Sequence, residues 1–178
     1  MKMTVSGIAW PFIAFTLPLA ATAIYLILRK FWNVIGPDPD GDREPEAVHR
    51  AIATRLVLFV MALHLLIMLN LGGFEWIRAR GPRLVVALFG SVFIAIGNLL
   101  PRTRPNLALG IRTSRALSDR AFWIRLHRTC GYLSVALGIV IVVAGLSFSG
   151  PVIGQVVGAA ALSSVAVLFV MYQRQRRA

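Results

Sequence analysis

The chain has 178 residues, of which 57% are hydrophobic and 15% are charged, with a mean hydropathy of +0.74. A soluble domain is typically about half apolar and about a quarter charged. The net charge of +12 would indicate nucleic acid in a soluble protein, but here the charges lie between apolar blocks and favour orientation in a membrane. The single cysteine excludes an internal disulfide and any multi-cysteine metal site.

Five segments approach the length of about 20 apolar residues that a spanning helix needs. In chain order they are residues 8–28, 46–71, 84–100, 131–148 and 152–172. The first ends in Leu-Arg-Lys rather than in a small-residue cleavage site, which favours a retained helix over a signal peptide. The sequence therefore predicts one membrane domain over residues 1–178, an all-α integral membrane protein with a bundle of about five transmembrane helices.

The loop after the first predicted helix, residues 36–46, reads GPDPDGDREPE and holds five of the seven acidic residues. Part of it resembles a calcium-binding loop, but the rest of that motif is absent. Its proline and glycine content predicts a solvated cytoplasmic loop.

Basic residues are distributed unevenly between the two sides of the predicted bundle. With the N-terminus outside, 15 of the 19 basic residues fall in inner segments. Arg78, Arg80 and Arg83 are in an outer loop and argue mildly the other way. The asymmetry predicts a multi-pass protein of the bacterial cytoplasmic (inner) membrane, with the N-terminus outside, the C-terminus inside and residues 101–130 forming a cytoplasmic loop.

Glycines recur on the faces of the last three predicted helices. Small residues on one helix face let two backbones approach closely in lipid. The pattern predicts either a tight intramolecular bundle or a homodimer seam. The glycines concerned are Gly90, Gly97, Gly131, Gly138, Gly145, Gly154 and Gly158.

Few polar side chains fall inside the predicted spans, and such groups normally turn towards a partner or a cavity. The lone His64 is interpreted as a hydrogen-bonded bundle residue rather than a proton relay or metal ligand. No acidic residue falls inside the apolar part of a predicted span, which weighs against a proton-coupled transporter or an intramembrane aspartyl protease. The other polar residues considered are Asn70, Asn98 and Gln155.

Residues 97–131 read GNLLPRTRPNLALGIRTSRALSDRAFWIRLHRTCG and carry seven arginines. The two prolines, Pro101 and Pro105, stop the third helix and hold the chain extended. Ser118 is predicted to cap a short interfacial helix over residues 120–129, with Asp119 in its first turn. The segment thus predicts a structured basic loop rather than a slack linker.

Two aromatic side chains of this predicted short helix are central to the interpretation of the loop. Phe122 and Trp123, with Leu126, are expected to anchor the helix in the membrane or the core. Trp123 and His127 are four residues apart and therefore share one helix face.

The same stretch resembles the signature of the SdpI family, bacterial membrane proteins of toxin immunity and signalling. That signature runs roughly Gly-Asn-x-Leu-Pro-Lys-x-Arg-Pro-Asn, then Gly-Ile-Arg-Thr-Pro-Trp-Thr-Leu-Ser, then Trp-x-x-x-His-Arg and a glycine. Here Arg102 replaces the lysine, and residues 114–116 read Ser-Arg-Ala in place of Pro-Trp-Thr. The matching positions are Gly97, Asn98, Leu100, Pro101, Arg104, Pro105, Asn106, Gly110, Ile111, Arg112, Thr113, Leu117, Ser118, Trp123, His127, Arg128 and Gly131.

The resemblance implies a protein that protects its host from a secreted toxic peptide, that signals by recruiting a soluble transcriptional repressor to its basic cytoplasmic loop, or both. The leading interpretation is therefore a non-enzymatic receptor, with an enzymatic activity left open, and no direct contact with nucleic acid is predicted. The side chains expected to bind a partner or an anion are Asn98, Arg102, Arg104, Asn106, Arg112, Trp123, His127 and Arg128.

Two alternatives remain open. The first is a membrane enzyme or carrier whose loop arginines and asparagines hold the phosphate of a lipid, with His127 as acid or base. Asp119 is its one candidate carboxylate, and that residue is also the expected helix-start acid. The second is a loop that only fixes topology and packing. No catalytic residue, metal ion or cofactor is predicted.

Overall fold

The computed structural model describes residues 9–35, 44–105, 111, 113–148 and 150–177. Within these ranges the chain forms α-helices and one short 3-10 turn, without a strand. The helices are α1 (Ala9–Ile35), α2 (Glu44–Leu71), α3 (Glu75–Gly97), α4 (Ser114–Ser118), α5 (Arg120–Ser147) and α6 (Pro151–Arg177), and the 3-10 turn is Leu100–Arg102.

The predicted all-α membrane fold is confirmed. By length and composition, four segments of the described chain can cross a bilayer, and α1 covers residues 9–28 of the first predicted span. The four segments that can cross a bilayer are Ala47–Leu71, Glu75–Arg102, Arg120–Ser147 and Pro151–Val170.

The predicted loop 36–46 lies largely outside the described residues.

The long helices pack in the order α1, α2, α3, α5, α6, and the α3–α5 pair is the most extensive. Tight glycine turns join α2 to α3 and α5 to α6, because Gly73 and Gly150 adopt φ values of +84° and +61° that favour glycine. Helices α3 and α5 run antiparallel, so the end of α3, the 3-10 turn, α4 and the start of α5 lie at one end of the bundle. We call the described residues among 98–130 the arginine-rich end.

Paired glycines allow α3 and α5 to touch backbone to backbone. A Cβ added to Gly90 would lie 2.7 Å from the Gly138 carbonyl oxygen, and one added to Gly131 would lie 2.7 Å from that of Gly97. The Ser134 hydroxyl donates across the same contact to the Phe93 carbonyl oxygen at 3.0 Å. These glycines therefore form an intramolecular contact, the first of the two arrangements that their spacing predicts.

The glycines of α6 are in a different environment from those of the α3–α5 contact. A Cβ added to Gly154 or Gly158 would meet no atom within 4 Å. A homodimer through this face of α6 stays a prediction.

The predicted start of the third helix is wrong. We expected residue 84, but α3 begins at Glu75 and includes Pro82. The glycine turn at residues 72–73 already reverses the chain, so the helix restarts directly after Phe74. Arg78 and Arg80 therefore lie on a helix rather than in a loop.

The predicted break between a short helix at residues 120–129 and a span at 131–148 is also wrong. Helix α5 is continuous from Arg120 to Ser147. Gly131 does not end a helix but makes room for Pro101, whose Cδ would lie 2.8 Å from an added Cβ.

Candidate functional site

Trp123 is the buried centre of the arginine-rich end. Its side chain is fully buried, and its indole Nε1–H donates to the Thr103 carbonyl oxygen at 3.0 Å and to the Thr103 hydroxyl at 3.3 Å. The Thr103 hydroxyl donates in turn to the Leu100 carbonyl oxygen at 2.7 Å. Because a buried indole N–H needs a partner, these bonds fix the 3-10 turn onto α5.

His127 lies one helical turn further along α5 and is 1% exposed. Its ring stacks on Trp123 with centroids 3.9 Å apart and planes 17° from parallel. The Ile111 backbone N–H donates to Nε2 at 3.2 Å, and Nδ1 lies 3.0 Å from the Trp123 carbonyl oxygen. Since Nε2 accepts, the ring is neutral and Nδ1 carries the proton that it donates to that carbonyl.

The stacked pair therefore connects three parts of the chain. Trp123 binds the turn after α3, whereas His127 binds the backbone just before α4. Both ring nitrogens of His127 are engaged, so the histidine positions the loop and offers no free nitrogen for proton transfer.

Helix α4 packs its one buried residue against α5. Thr113 caps this helix by accepting a hydrogen bond from the Ala116 N–H at 3.2 Å. Ala116 is fully buried and clusters with Phe122, Trp123 and Leu126. The Arg115 guanidinium lies over the Phe122 ring, 5.2 Å from its centroid.

Two contacts extend this cluster towards the neighbouring helices. Tyr172 of α6 meets Phe122 edge to face at 6.5 Å. On the other side, Leu99 packs in a second cluster with Val48 and Ile52 of α2. The arginine-rich end is thus tied to α2 and α6 as well as to α3 and α5.

The cap of α5 differs from the predicted one. Asp119, not Ser118, is the N-cap, and its Oδ1 accepts from the Phe122 N–H at 2.9 Å. Ser118 ends α4 instead. Helix α4 runs to residue 118, so Asp119 is the first residue with the extended conformation that a cap requires. This engaged carboxylate is not positioned as a free catalytic group.

The structure divides the eight predicted site residues into a buried frame and an exposed surface. Trp123 and His127 form the frame. Asn98, Arg102 and Arg128 are exposed and Arg104 is half-buried, whereas Asn106 and Arg112 lie outside the described residues.

Three further exposed arginines extend this surface beyond the predicted residues. Arg115 lies on α4, while Arg120 and Arg125 lie in the first two turns of α5. These three arginines could have been predicted, because the sequence gives their charge and the helical period gives the helix face on which each lies. The frame residue Thr103 was missed because a threonine between two prolines carries no pattern of its own.

The remaining polar predictions have mixed outcomes. His64 was interpreted as a hydrogen-bonded bundle residue; it is 8% exposed, as a bundle residue would be, but its Nδ1 has no hydrogen-bond partner among the described residues. Asn70 is half-buried beside Gly81, whereas Gln155 is exposed. Across the described part of the chain, no group of three metal-binding side chains comes together.

The fold and the site together define a class: an all-α membrane protein with a folded, arginine-bearing end built on a buried Trp–His stack. Residues 102–172 match the model of the SdpI/YfhL protein family, which confirms the resemblance that the loop motif indicates. The match runs from the last residue of the 3-10 turn through α4 and α5 to Tyr172 of α6, and so includes the frame and all five exposed arginines of the arginine-rich end. Comparisons with curated proteins and with solved structures give no match.

Proposed function

We propose that the chain is an SdpI-like protein of the bacterial cytoplasmic membrane that recruits a soluble regulator to its arginine-rich end. The proposal rests on the exposed arginines of this end and on the frame beneath them. In that frame, Trp123 and His127 are buried and hydrogen-bonded. A rigid surface of one charge favours an acidic partner by steering the encounter and by losing little side-chain and loop freedom on binding. Recruitment of a soluble cytoplasmic regulator requires that this end face the cytoplasm.

Immunity to a secreted toxic peptide is the second part of the proposal, and it rests on the family match over residues 102–172. The peptide would arrive at the opposite end, where the turns between helices are short. The lipid-processing alternative has less support, because His127 and Asp119 are both held in structural hydrogen bonds.

Co-purification from native membranes tests regulator recruitment. The wild-type chain is compared with Arg102→Gln/Arg128→Gln, and Arg80→Gln/Arg83→Gln is the matched variant with the same charge loss at the other end. We expect a soluble DNA-binding protein to be retained by the wild type and the matched variant and lost from the first. Equal retention by all three would contradict the proposal.

Orientation is tested separately with single cysteines in a Cys130→Ser background. Arg125→Cys and Ser147→Cys place a thiol at the two ends of α5. A membrane-impermeant maleimide added outside intact cells should label residue 147 and spare residue 125. The reverse pattern would place the arginine-rich end outside the cell and contradict recruitment of a cytoplasmic regulator.

A further inference from the structure

Arg55 occupies an unexpected place on α2. Arg55 lies eight residues inside the candidate span that begins at Ala47, although arginine is rare within membrane spans. That separation is about 12 Å along the helix, at a rise of about 1.5 Å per residue.

Contacts on either side of Arg55 show which neighbour it faces. One turn earlier, Ile52 packs with Leu99 at the end of α3. One turn later, Phe59 meets Phe89 of α3 edge to face with centroids 4.9 Å apart. Residues three and four apart share a helix face, so Arg55 faces α3.

One nitrogen of the Arg55 guanidinium lacks a hydrogen-bond acceptor within the described part of the chain. Its Nη1 is buried and has no hydrogen-bond partner among the described residues. The two acidic side chains that the structure describes are occupied elsewhere or distant: Asp119 caps α5, and Glu75 lies at the opposite end of the bundle. A buried N–H group without an acceptor is costly, and polar groups at membrane depth normally find a partner.

The surroundings of Arg55 define the kind of anion that fits. Long side chains on a helix lean towards its N-terminus, which brings the guanidinium towards the level of Ile52 and Leu99 and towards the depth of lipid headgroups. Val48, Ile52 and Leu99 provide apolar walls there. Arg55 is only half-buried, so part of its side chain is accessible from outside the bundle.

We propose that Arg55 binds the phosphate group of a phospholipid whose headgroup enters between α2 and the end of α3. Arginine binds phosphate through paired, charge-assisted N–H···O bonds, and the apolar walls suit the adjoining acyl chains. This site is separate from the exposed arginines and does not depend on the recruitment of a regulator.

The test uses delipidated full-length protein in dodecyl maltoside, with phosphatidylglycerol as the probe. Phosphatidylglycerol should raise the Tm of the wild type and of Arg125→Gln, an exposed-arginine control, but not that of Arg55→Met. Native mass spectrometry should show the single-lipid adduct weakened about ten-fold or more in Arg55→Met, as expected for a lost hydrogen bond to a charged group.

Three controls test other causes of the lipid-induced rise in Tm. Diacylglycerol with the same acyl chains, or inorganic phosphate alone, should not reproduce the shift in Tm, and full reproduction by either would overturn the proposal. Without lipid, Arg55→Met should be at least as stable as the wild type, because it removes a buried N–H group that has no acceptor among the described residues. A lower Tm for Arg55→Met under those conditions, or an equal lipid-induced shift in both proteins, would contradict the site.

Discussion

Trp123 and Trp76 lie at opposite ends of the bundle, and each is part of a helix that also carries arginines. Trp123 is fully buried and bonded to Thr103, with His127 stacked on its ring. Trp76 is 57% exposed, and the Arg80 guanidinium lies 5.1 Å from its ring centroid.

Trp76 therefore has the environment of an interfacial anchor, whereas Trp123 holds a folded site together. An exposed tryptophan beside arginines is what a membrane–water interface commonly carries. Burial, a bonded indole N–H and a stacked histidine are not needed for that purpose, and their hydrogen bonds hold Thr103 and Ile111, which both precede α4. The same residue types therefore have different consequences at the two ends.

The largest expected effect comes from removing the two indoles in turn. Trp123→Ala should lower the free energy of unfolding by about 3–5 kcal/mol, because a packed ring is lost and Thr103 loses its donor. Trp76→Ala should cost about 1 kcal/mol or less, the value of an exposed cation–π contact. Unfolding in mixed micelles with increasing denaturing detergent measures both, and similar losses would remove the distinction between the ends.

A smaller difference is expected between two glycine substitutions. Gly131→Ala should destabilise the protein by about 1–3 kcal/mol, since its Cβ would press on Gly97 and Pro101. At the other end, a Cβ on Gly81 would lie 3.7 Å from the Asn70 Nδ2, an ordinary contact. Gly81→Ala should be neutral or stabilise the helix by up to about 1 kcal/mol. Thermal unfolding of both variants checks the signs.

The helix-start acids should differ by less. Asp119→Ala should cost about 1 kcal/mol, because it removes the bond that caps α5. Asp119→Asn retains an accepting oxygen and should recover most of that loss. Glu75→Ala should cost only a few tenths of a kcal/mol, since Glu75 acts on α3 through the helix dipole. A full loss in Asp119→Asn would show that the charge, not the cap, is what stabilises α5.

The smallest effect on stability is expected from the exposed arginines. Arg102→Gln and Arg128→Gln should each change the free energy of unfolding by less than about 0.5 kcal/mol, as is usual for surface substitutions. Their effect belongs instead to partner retention. A large change in the unfolding curve would show that these side chains are structural.

Much of the fold was predictable because lipid imposes simple rules. Apolar runs gave the helices, and glycines seven residues apart gave the faces of α3 and α5 that meet. Helix boundaries were less predictable. Ser118 and Asp119 both suit an N-cap, and the choice depends on how Ala116 packs against Phe122. Gly131 resembles a helix end until its tertiary neighbour, Pro101, is known.

The candidate site was predictable in its residues but not in their roles. Charge and motif singled out both the arginines and the Trp123–His127 pair. Which of them are buried depends on long-range partners, Thr103 for one and Ile111 for the other, and neither has a local signature. Arg55 was unexpected for a related reason, because its burial is set by α3 rather than by α2.

Hydrogen exchange at the Ile111 amide, resolved by fragmentation of deuterated peptides, tests most directly whether Trp123 and His127 form a rigid frame. In the wild type, the bond to His127 Nε2 should protect this amide. His127→Phe keeps an aromatic ring but removes the acceptor, so exchange there should quicken about ten-fold or more while the helical amides around Trp76 are unchanged. Equal, fast exchange at Ile111 in both proteins would contradict a rigid frame beneath the exposed arginines.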